Sequence, residues 1–387
     1  MLKPANRVME SVTFHAVEFA KKAQLLRESG RDIVSLSIGE PDFTAPPLVC
    51  ETLVKASQSG LSGYSPTLGL EPLRLCIADY YNEQFGTKIN HNQVIVTTGA
   101  SGGLLLACQT MLNPGDEVLM PDPYYPANFN FILTAGASTK LIPCTPEERF
   151  QLSAEKIKAN WGPKTRAVLI ASPSNPTGTS ITEEELTKIC AVVKSLGGFV
   201  ILDEIYLGLS YDGQAKSGLA LDPDIIVINS FSKYFNMTGW RLGWIIAPEY
   251  LVPAFEKISS SLTICAPTLS QHAAISCFAP ESIALYDKRR AAFKERRDYL
   301  LPELERLGLD VPVKPDGAFY IYCDISKYSD DSVDFANQLL EKAGVATVPG
   351  LDFGPAYAKK MLRLSYATGI DQLKVAVQRL EDFLGEI

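Results

Sequence analysis

The chain has 387 residues, of which 46% are hydrophobic and 21% charged, and its formal net charge is -8. This length allows two or more domains of about 100–200 residues each, and the composition is that of an ordinary globular protein. The acidic balance, with 36 Lys and Arg against 44 Asp and Glu, argues against nucleic acid or an anionic membrane as the main partner, because either would favour a basic face.

The cysteines and histidines argue against two further classes of protein. The eight cysteines are scattered without a Cys-x-x-Cys pair, which is typical of reduced thiols rather than of a disulfide framework. The only histidines, His15, His91 and His272, are too far apart for a metal motif, so no metal site is predicted. We see no apolar signal segment and no run near the roughly 18 apolar residues of a membrane span, and therefore expect a cytoplasmic protein.

The amino-terminal residues 1–44 contain an amphipathic helix and the stretch DIVSLSIGEPDF, which is a predicted strand. No strand that could pair with it lies nearby in the sequence. We therefore expect this segment to pack on a second domain or on another subunit.

Between about residues 93 and 247, short β-branched runs alternate with helical stretches. Six runs are predicted strands: QVIVTTG, DEVLMPD, TRAVLIASP, GFVILDE, DIIVINSFS and RLGWIIAP. They are too apolar to have one face in water, as expected for a mainly parallel sheet covered on both sides. The stretch TEEELTKICAVVKSL predicts a helix with Thr182 as N-cap and Glu185 three positions later, as in a capping box. This alternation predicts a doubly wound α/β domain.

The pattern changes after about residue 280. The stretch SIALYDKRRAAFKERRDYLLPELERLG predicts a long charged amphipathic helix, or two helices broken near Pro302. Shorter strands are predicted at GAFYIYCD, VATVPG and MLRLSYA, followed by a helix at 370–385. We therefore expect an amino-terminal segment at 1–44, a large domain at 45–285 and a smaller α+β domain at 286–387.

Two stretches of the large domain follow predicted strands with small or aromatic residues, at the sheet edge where open α/β folds bind ligands. TTGASGG, residues 97–103, precedes a helix, and its small residues suit an anion, although a plain tight turn is an equal alternative. In PDPYYPANF, Tyr125 can stack on a planar ring. Core packing is the simpler interpretation of that tyrosine when it is considered alone.

Two further strand ends carry an amide and a carboxylate. Asn175, in the proline-bracketed SPSNPTG, can donate to a phenolate-like oxygen or hold a carboxylate, and the alternative is an Asn-Pro turn. Asp203 follows three apolar residues and is predicted to be buried, so it needs a cationic partner, such as a protonated ring nitrogen. The alternative for Asp203 is a helix N-cap. Tyr206 can direct its hydroxyl into the same crevice.

The stretch NSFSKYFNMTGWRLGW, residues 229–244, places a lysine, two serines and an arginine among aromatic residues. A desolvated lysine near other cations has a lowered pKa and can form a Schiff base, which is the chemistry we predict for Lys233. Ser230 and Arg241 suit phosphate recognition. The alternative, a solvated lysine, fits poorly with the aromatic neighbours.

Together these stretches describe one ligand, with an anion, a flat ring, a ring oxygen, a basic ring nitrogen and a carbonyl group. Pyridoxal 5′-phosphate has all of these features, and its binding signature is a lysine Schiff base with an acidic partner for the ring nitrogen. The sequence therefore predicts pyridoxal 5′-phosphate as the cofactor.

The motifs also carry a family resemblance. In their order along the chain, SIGEPDF, YSPTLGL, SPSNPTG, DEIY, SFSKYFNMTGWRLGW, GAFY and MLRLSYA resemble those of the fold-type I pyridoxal-phosphate aminotransferases of class I/II, which are aspartate-aminotransferase-like. The resemblance covers essentially the whole chain. It implies an α/β fold in which a large domain has a mainly parallel seven-stranded sheet between helices, and a smaller α+β domain is formed by both termini. It also implies a homodimer with two active sites at the subunit interface.

The resemblance implies a catalytic group of residues around the cofactor ring. Lys233 matches the family's Schiff-base lysine and Asp203 its partner for the pyridinium nitrogen. Asn175 and Tyr206 match the donors to the ring oxygen. Tyr125 remains the residue expected against the flat face of the ring.

The resemblance also implies a phosphate cup and a carboxylate site. The cup matches Ala100, Ser101, Ser230 and Arg241, and Tyr64 matches a tyrosine that reaches the phosphate of the neighbouring subunit's cofactor.

Two further positions match the family's site for the substrate. Arg363 matches the arginine that holds the substrate α-carboxylate, and Gly39 matches the glycine that lines this end of the pocket. The resemblance also implies that Asn175 lies at the same end and contributes to substrate binding.

The implied reaction is a ping-pong transamination between an L-amino acid and a 2-oxo acid, with Lys233 as the general base and acid for proton transfer. Aspartate-specific bacterial relatives carry a lysine on the helix after the phosphate turn, whereas here Gln109 lies at about that place and residues 89–139 contain no Lys or Arg. A dicarboxylate would need a cation from elsewhere, such as Arg7 or Lys22. We therefore predict a neutral or aromatic donor, such as alanine or a larger apolar amino acid, with 2-oxoglutarate or pyruvate as the acceptor.

Several alternatives stay open at this point. A carbon–sulfur lyase that catalyses β-elimination would share nearly all of these residues, and an aspartate aminotransferase would share the whole motif set. The same fold also serves as the effector-sensing domain of transcription factors, which add an amino-terminal DNA-binding module. The acidic balance of the chain argues against that role. A catalytically dead α/β protein would require the whole constellation of residues to coincide by chance.

Overall fold

The computed structural model describes residues 2–213 and 215–386. The strands are β1 (Val34–Ser35), β2 (Val94–Thr97), β3 (Glu117–Asp122), β4 (Ser138–Pro143), β5 (Thr165–Ala171), β6 (Phe199–Asp203), β7 (Ile226–Ser230), β8 (Gly243–Ile246), β9 (Tyr320–Asp324), β10 (Val345–Ala346), β11 (Val348–Pro349) and β12 (Met361–Ser365). The helices are α1 (Arg7–Glu10), α2 (His15–Glu28), α3 (Pro47–Gln58), α4 (Glu71–Phe85), α5 (Gly99–Met111), α6 (Pro126–Thr134), α7 (Ala154–Asn160), α8 (Glu183–Ser195), α9 (Val252–Leu262), α10 (Thr268–Ala274), α11 (Pro280–Arg306), α12 (Ser332–Gln338) and α13 (Ile370–Gly385). Each helix in these two ranges is too short or too polar to span a membrane.

Seven strands form one sheet in the order β2-β8-β7-β6-β5-β3-β4. The strands from β4 to β7 pair in parallel, and β8 runs antiparallel to both β7 and β2. Alternate residues of β5 face opposite sides, since Leu169 belongs to one apolar cluster and Val168 and Ile170 to another. The sheet is therefore covered on both faces, which confirms the predicted α/β fold with a mainly parallel seven-stranded sheet.

All six predicted strands of this sheet are present, but β4 has no counterpart among them. β4 lies at the edge of the sheet, and Ile142 is its only buried residue. An edge strand with so little burial lacks the apolar run that identifies the inner strands. Helix α8 begins after Thr182, whose Oγ1 accepts a hydrogen bond from the N–H of Glu185 at 3.2 Å, as predicted. The Glu185 carboxylate accepts from the N–H of Ala154 at 2.7 Å and so holds the start of α7.

The smaller domain contains the antiparallel sheet β11-β12-β9 and receives the amino-terminal segment. Strand β1 pairs in parallel with β10, with Val34 opposite Val345, so both termini contribute to this domain as predicted. Helix α11 continues through Pro302, so the alternative of two broken helices is wrong. The predicted boundary between residues 285 and 286 falls inside this helix and remains a prediction.

Candidate active site

A cavity of about 400 Å³ lies at the carboxyl ends of β5, β6 and β7, where the last residues are Ala171, Asp203 and Ser230. This is the edge at which parallel α/β sheets bind ligands. The predicted site residues that line the cavity are Gly39, Ala100, Ser101, Tyr125, Asn175, Asp203, Tyr206, Ser230, Lys233, Arg241 and Arg363. Tyr64 does not line it, and its side chain is 83% exposed.

Lys233 lies in the turn after β7 and points its amine into the cavity. Its Nζ donates a hydrogen bond to the carbonyl of Gly39 at 2.6 Å and lies 5.9 Å from the ring centres of Tyr206 and Phe319. A Cβ at Gly39 would lie 2.7 Å from the hydroxyl oxygen of Tyr320, so only glycine fits at this position without displacing that side chain. The amine is therefore enclosed by aromatic rings and backbone.

This enclosure changes the chemistry of the amine. Burial, with a smaller contribution from the positive charges of Arg363 and Arg241, lowers the pKa of Lys233 to about 8. The carboxylates of Glu40 and Asp203 act in the opposite direction. A lysine with this pKa has a substantial fraction of free amine near neutral pH, as a nucleophile for a carbonyl group requires.

Asp203 is buried at the end of β6. The only hydrogen bond to its carboxylate within residues 2–213 and 215–386 comes from the backbone N–H of Ile205 at 3.0 Å. Burial raises the pKa of Asp203 to about 6, while this hydrogen bond and the charge of Lys233 oppose the shift. The carboxylate therefore has an oxygen free for a further buried donor, such as a protonated ring nitrogen.

Arg363 projects from β12 of the smaller domain into the same cavity and is only 4% exposed. Its Nη1 donates to the side-chain oxygen of Asn175 at 2.9 Å, and its Nη2 donates to the carbonyl of Ser37 at 2.7 Å. The rings of Tyr320 and Phe353 lie 4.4 Å and 4.9 Å from the guanidinium carbon. Its buried Nε has no partner in the described part of the chain. A buried cation held in this way is suited to binding an anion.

The start of α5 and Arg241 form a cradle of backbone and guanidinium. A Cβ at Gly99, whose φ is +72°, would lie 2.7 Å from Nη2 of Arg241, and a Cβ at Gly243 would lie 2.6 Å from the carbonyl carbon of Gly99. Only glycines allow this close approach. Thr98, the N-cap residue of α5, makes no side-chain hydrogen bond to the helix, so the N–H groups of Ala100 and Ser101 remain available there within the described residues. Free N–H groups at a helix start beside an arginine are suited to a phosphate.

Hydroxyl groups complete the site. Tyr206 and Tyr320 are joined by a hydrogen bond of 2.8 Å between their hydroxyl oxygens. Burial raises the pKa of Tyr206, so its hydroxyl keeps a proton to donate. The Tyr125 ring contacts the Phe14 ring edge-on, with 5.6 Å between centroids. Ser230 Oγ lies 2.9 Å from the hydroxyl oxygen of Ser232.

One wall of the cavity consists of residues that were not predicted as site residues. Phe14 and the α2 residues Ala16, Val17 and Ala20 line the cavity. Ser37, Leu104 and Tyr320 were also not predicted as site residues, although Tyr320 belongs to the GAFY motif. The apolar positions of α2 fit helical spacing, but that spacing alone does not distinguish a wall of a cavity from a core contact.

Gln109 was expected at the place where aspartate-specific relatives carry a lysine for the side-chain carboxylate. This prediction is wrong, because Gln109 does not line the cavity. Helix α5 contributes Ala100, Ser101 and Leu104 to the cavity, all from its first two turns, and Gln109 lies too far along the helix to reach it. A residue on the cavity side of α5 must lie near its start, because only that end faces the sheet edge.

The two candidate cations of the amino-terminal segment also lie outside the cavity. Lys22 Nζ bonds to the side-chain oxygens of Asn337 and Glu341, at 2.8 Å and 2.6 Å. Arg7 Nη1 donates to the carbonyl of Thr134 at 3.2 Å. In residues 2–213 and 215–386, the cations that line the cavity are Lys233, Arg241 and Arg363.

Comparisons with known proteins agree with this geometry. The sequence profile of the family described as aminotransferase class I and II matches residues 31–380. The valine–pyruvate aminotransferase of Mycobacterium tuberculosis is 40% identical over 355 residues, which cover 91% of each chain. A probable N-acetyl-LL-diaminopimelate aminotransferase of Bacillus subtilis is 37% identical over 389 residues, which cover 99% of this chain and 96% of the relative.

Two solved structures have the same fold over their whole length. An aminotransferase from Mycobacterium tuberculosis matches with a TM-score of 0.97 at 37% identity, covering 100% of both chains. The aspartate aminotransferase of Thermus thermophilus with maleate matches with a TM-score of 0.93 at 34% identity, covering 99% of this chain and 100% of the other. The chain therefore belongs to the class I and II aminotransferases and is an enzyme of that family.

Proposed function

We propose that this aminotransferase uses pyridoxal 5′-phosphate attached to Lys233 and takes its amino group from an L-amino acid with a neutral, apolar side chain. The observation that carries the proposal is the charge of the cavity, where each of the three cations that line it has one role. Lys233 supplies the amine, Arg241 faces the phosphate cradle, and Arg363 faces the substrate carboxylate. No further cation of the described chain lines the cavity to pair with a side-chain carboxylate.

The residues of the cavity fit pyridoxal 5′-phosphate. The phosphate suits the uncapped start of α5 beside Arg241, and the ring nitrogen suits the free oxygen of Asp203. Asn175 and Tyr206 would hold the ring oxygen, and Lys233 would attach to the aldehyde. When bound, the cofactor supplies an electron-withdrawing ring that stabilises negative charge at the substrate Cα.

The chain's own residues supply proton transfer and orientation. Once the amino group of the substrate has replaced Lys233 at the aldehyde carbon, the free Nζ would take a proton from the substrate Cα as general base and return it as general acid. Asp203 keeps its negative charge beside a protonated partner, because an opposite charge offsets the cost of burial. Arg363 binds the α-carboxylate, so the substrate Cα is directed toward Lys233.

The rest of the cavity wall favours an apolar side chain. Phe14, Ile38, Leu104 and the α2 residues lie there, and an ionised side chain against them would be buried without a partner. The valine–pyruvate aminotransferase among the relatives acts on an apolar donor by its name, which supports this substrate class. The acceptor would be pyruvate, because Arg363 can pair with its single carboxylate. The second carboxylate of 2-oxoglutarate, the other acceptor predicted from the sequence, would meet the same apolar wall, where the described residues supply no further cation.

We also propose that the enzyme is a homodimer. Tyr64 is 83% exposed in this chain, and Leu61, Leu262 and Ile264 are 46%, 52% and 48% exposed. In the dimer, Tyr64 would reach the phosphate in the neighbouring subunit. Light scattering on the purified protein tests the assembly, and a monomer with full activity would contradict it.

A donor panel tests the substrate class. The enzyme is reconstituted with pyridoxal 5′-phosphate. The rate at which each donor converts the bound cofactor from its aldehyde to its amine form is then followed through the visible absorbance, with alanine, valine, leucine, phenylalanine and aspartate as donors. We expect neutral donors to react at least about tenfold faster than aspartate, the discrimination expected from one unpaired buried charge. Aspartate far ahead of every neutral donor would overturn the proposal. Ammonia and pyruvate formed from cysteine without an oxo acid would indicate a lyase instead.

A further inference from the structure

Helix α2 contacts two different parts of the molecule. Phe19 and Ala23 are buried, and the helix packs on β10 and β11 of the smaller domain. Ala16, Val17 and Ala20, on another face of the same helix, line the cavity. The position of α2 on the smaller domain therefore decides the shape of the cavity wall.

The start of α2 is held by a residue far away in the sequence. Phe14, in the N-cap position, makes no side-chain hydrogen bond to the helix. Oδ1 of Asp352 instead accepts the N–H of His15 at 2.7 Å, and Oδ2 accepts the N–H of Ala16 at 3.1 Å. Asp352 is 4% exposed, so this buried carboxylate satisfies two N–H groups that the helix leaves without partners, and the helix dipole favours its charge.

Asp352 also lies beside the carboxylate site and the large domain. It belongs to the turn Gly350–Phe353. The Phe353 ring lies 4.9 Å from the guanidinium carbon of Arg363, and the Phe353 carbonyl accepts the N–H of Tyr124 at 2.9 Å. One short turn thus fixes α2, supports Arg363 and joins the end of β3.

We propose that Asp352 is a positioning residue that sets the side-chain specificity of the reaction by seating α2 against the cavity. The inference rests on the proposed function, because it takes the donor side chain to contact Ala16, Val17 and Ala20. Asp352 does not line the cavity, so it acts through α2. When the carboxylate is removed, the first turn of α2 loses two acceptors, and the wall against the donor side chain loosens while Arg363 keeps its own partners.

The test compares Asp352→Ala with a matched control, Asp331→Ala. The Asp331 carboxylate accepts the N–H groups of Val333 and Asp334 at 2.9 Å and 3.1 Å through one oxygen, and so caps its own helix, α12, in the same domain at an exposed position. None of residues 332–338 lines the cavity. Each variant therefore loses a carboxylate that accepts two N–H groups at a helix start, but only α2 forms a wall of the cavity.

Two quantities are measured on the reconstituted enzyme. The first is the second-order rate constant of the donor half-reaction with L-leucine and with L-alanine, followed through the visible absorbance. The second is hydrogen–deuterium exchange of peptides that cover residues 14–28. Loss of a helix cap corresponds to about a tenfold change in the equilibrium between the ordered and frayed helix start. We therefore expect Asp352→Ala to lower the second-order rate constant about tenfold with leucine and less than about twofold with alanine.

The exchange experiment separates positioning from general damage. We expect faster exchange at the start of α2 in Asp352→Ala, and faster exchange only in α12, with unchanged rate constants, in Asp331→Ala. Asp352→Asn keeps one acceptor oxygen and is expected to be intermediate in both measurements, and it carries the test if the alanine variant does not fold.

Two results would overturn the inference. The first is an equal loss with leucine and alanine, and the second is unchanged exchange at the start of α2 in Asp352→Ala. A wild-type enzyme that reacts with no neutral donor counts against the proposed function. A wild-type enzyme that reacts with leucine, beside an Asp352→Ala variant with the same donor preference, counts against the role of Asp352 alone.

Discussion

Substitution of Arg363 by lysine tests how the cavity recognises its substrate. Arg363 uses two N–H groups on Asn175 and Ser37, and its buried Nε has no partner in the described residues. The guanidinium is therefore fixed in direction and still has donors for a carboxylate. A lysine keeps the charge but offers one nitrogen, so it cannot satisfy both internal partners and hold a carboxylate at two points.

The size of the effect follows from the number of lost contacts. A hydrogen bond to a charged group contributes about 1.5–3 kcal/mol, so loss of one such bond in the transition state lowers kcat/KM about 10- to 150-fold. Donor and acceptor both carry a carboxylate next to the reacting carbon, so we expect the loss in both half-reactions. Lys233 is unchanged in this variant, so we expect normal visible absorbance of the bound cofactor.

Single-turnover kinetics with leucine and with pyruvate measure the two half-reactions. Arg296→Lys is the matched control, because Arg296 is also a buried arginine, 7% exposed, with a two-point ion pair to Asp42, and it does not line the cavity. We expect the control to lower Tm and to leave both half-reactions near wild type. Wild-type kcat/KM in Arg363→Lys, or an equal loss in Arg296→Lys, would refute the role of Arg363.

Three further predictions concern the amine and the phosphate cradle. Lys233→Ala is expected to lower turnover by about 10²–10⁴-fold or more. After treatment with the cofactor and borohydride, position 233 of this variant should show no added mass. Normal turnover would contradict the role of Lys233 as the amine that binds the cofactor. Gly99→Ala is expected to weaken cofactor binding about tenfold or more, because the new Cβ would lie 2.7 Å from Nη2 of Arg241. Gly115→Ala is the control, because Gly115 has a φ of +91° and a Cβ there would have no atom within 4 Å. This control should destabilise the fold and leave the cofactor Kd unchanged. In the protein without cofactor, the folded state binds fewer protons at Lys233 than the unfolded state between pH 8 and 10.5. The free energy of unfolding should therefore rise across this pH window by up to about 3 kcal/mol more than in Lys233→Met. Urea titrations in which the free energy of unfolding of both proteins changes equally with pH would contradict this.

The sequence predicts the parts of the fold that depend on local apolar patterns. The inner strands of the sheet are continuous apolar runs, which identify them without tertiary information. Strand β4 is different, because it owes its pairing to β3 and buries only Ile142. The continuity of α11 through Pro302 was left open for a similar reason, since the packing of the helix, and not its local propensity, decides whether a proline interrupts it.

The candidate site shows the same division. Lys233, Asp203 and Asn175 could be predicted because each lies at or shortly after the end of a strand whose carboxyl end faces the crevice. The error at Gln109 arose because the sequence gives the length of α5 but not the depth at which the helix meets the cavity. The hydrogen bonds from α2 to Asp352 join residues more than 330 positions apart, and no local pattern indicates such a contact.

Lys233, Asp203 and Arg363 share one physical property that explains why the fold has this cavity. Asp203 and Arg363 are buried and Lys233 is partly buried, and none of the three has an ion-pair partner within residues 2–213 and 215–386. Unpaired buried charges destabilise a folded chain, so these residues are retained at a cost in stability. A ligand with a phosphate, a basic ring nitrogen, a carbonyl group and a carboxylate provides the complement of every one of them. Binding of such a ligand to the folded state alone must then stabilise the protein, because the ligand supplies the charges that the chain leaves unpaired.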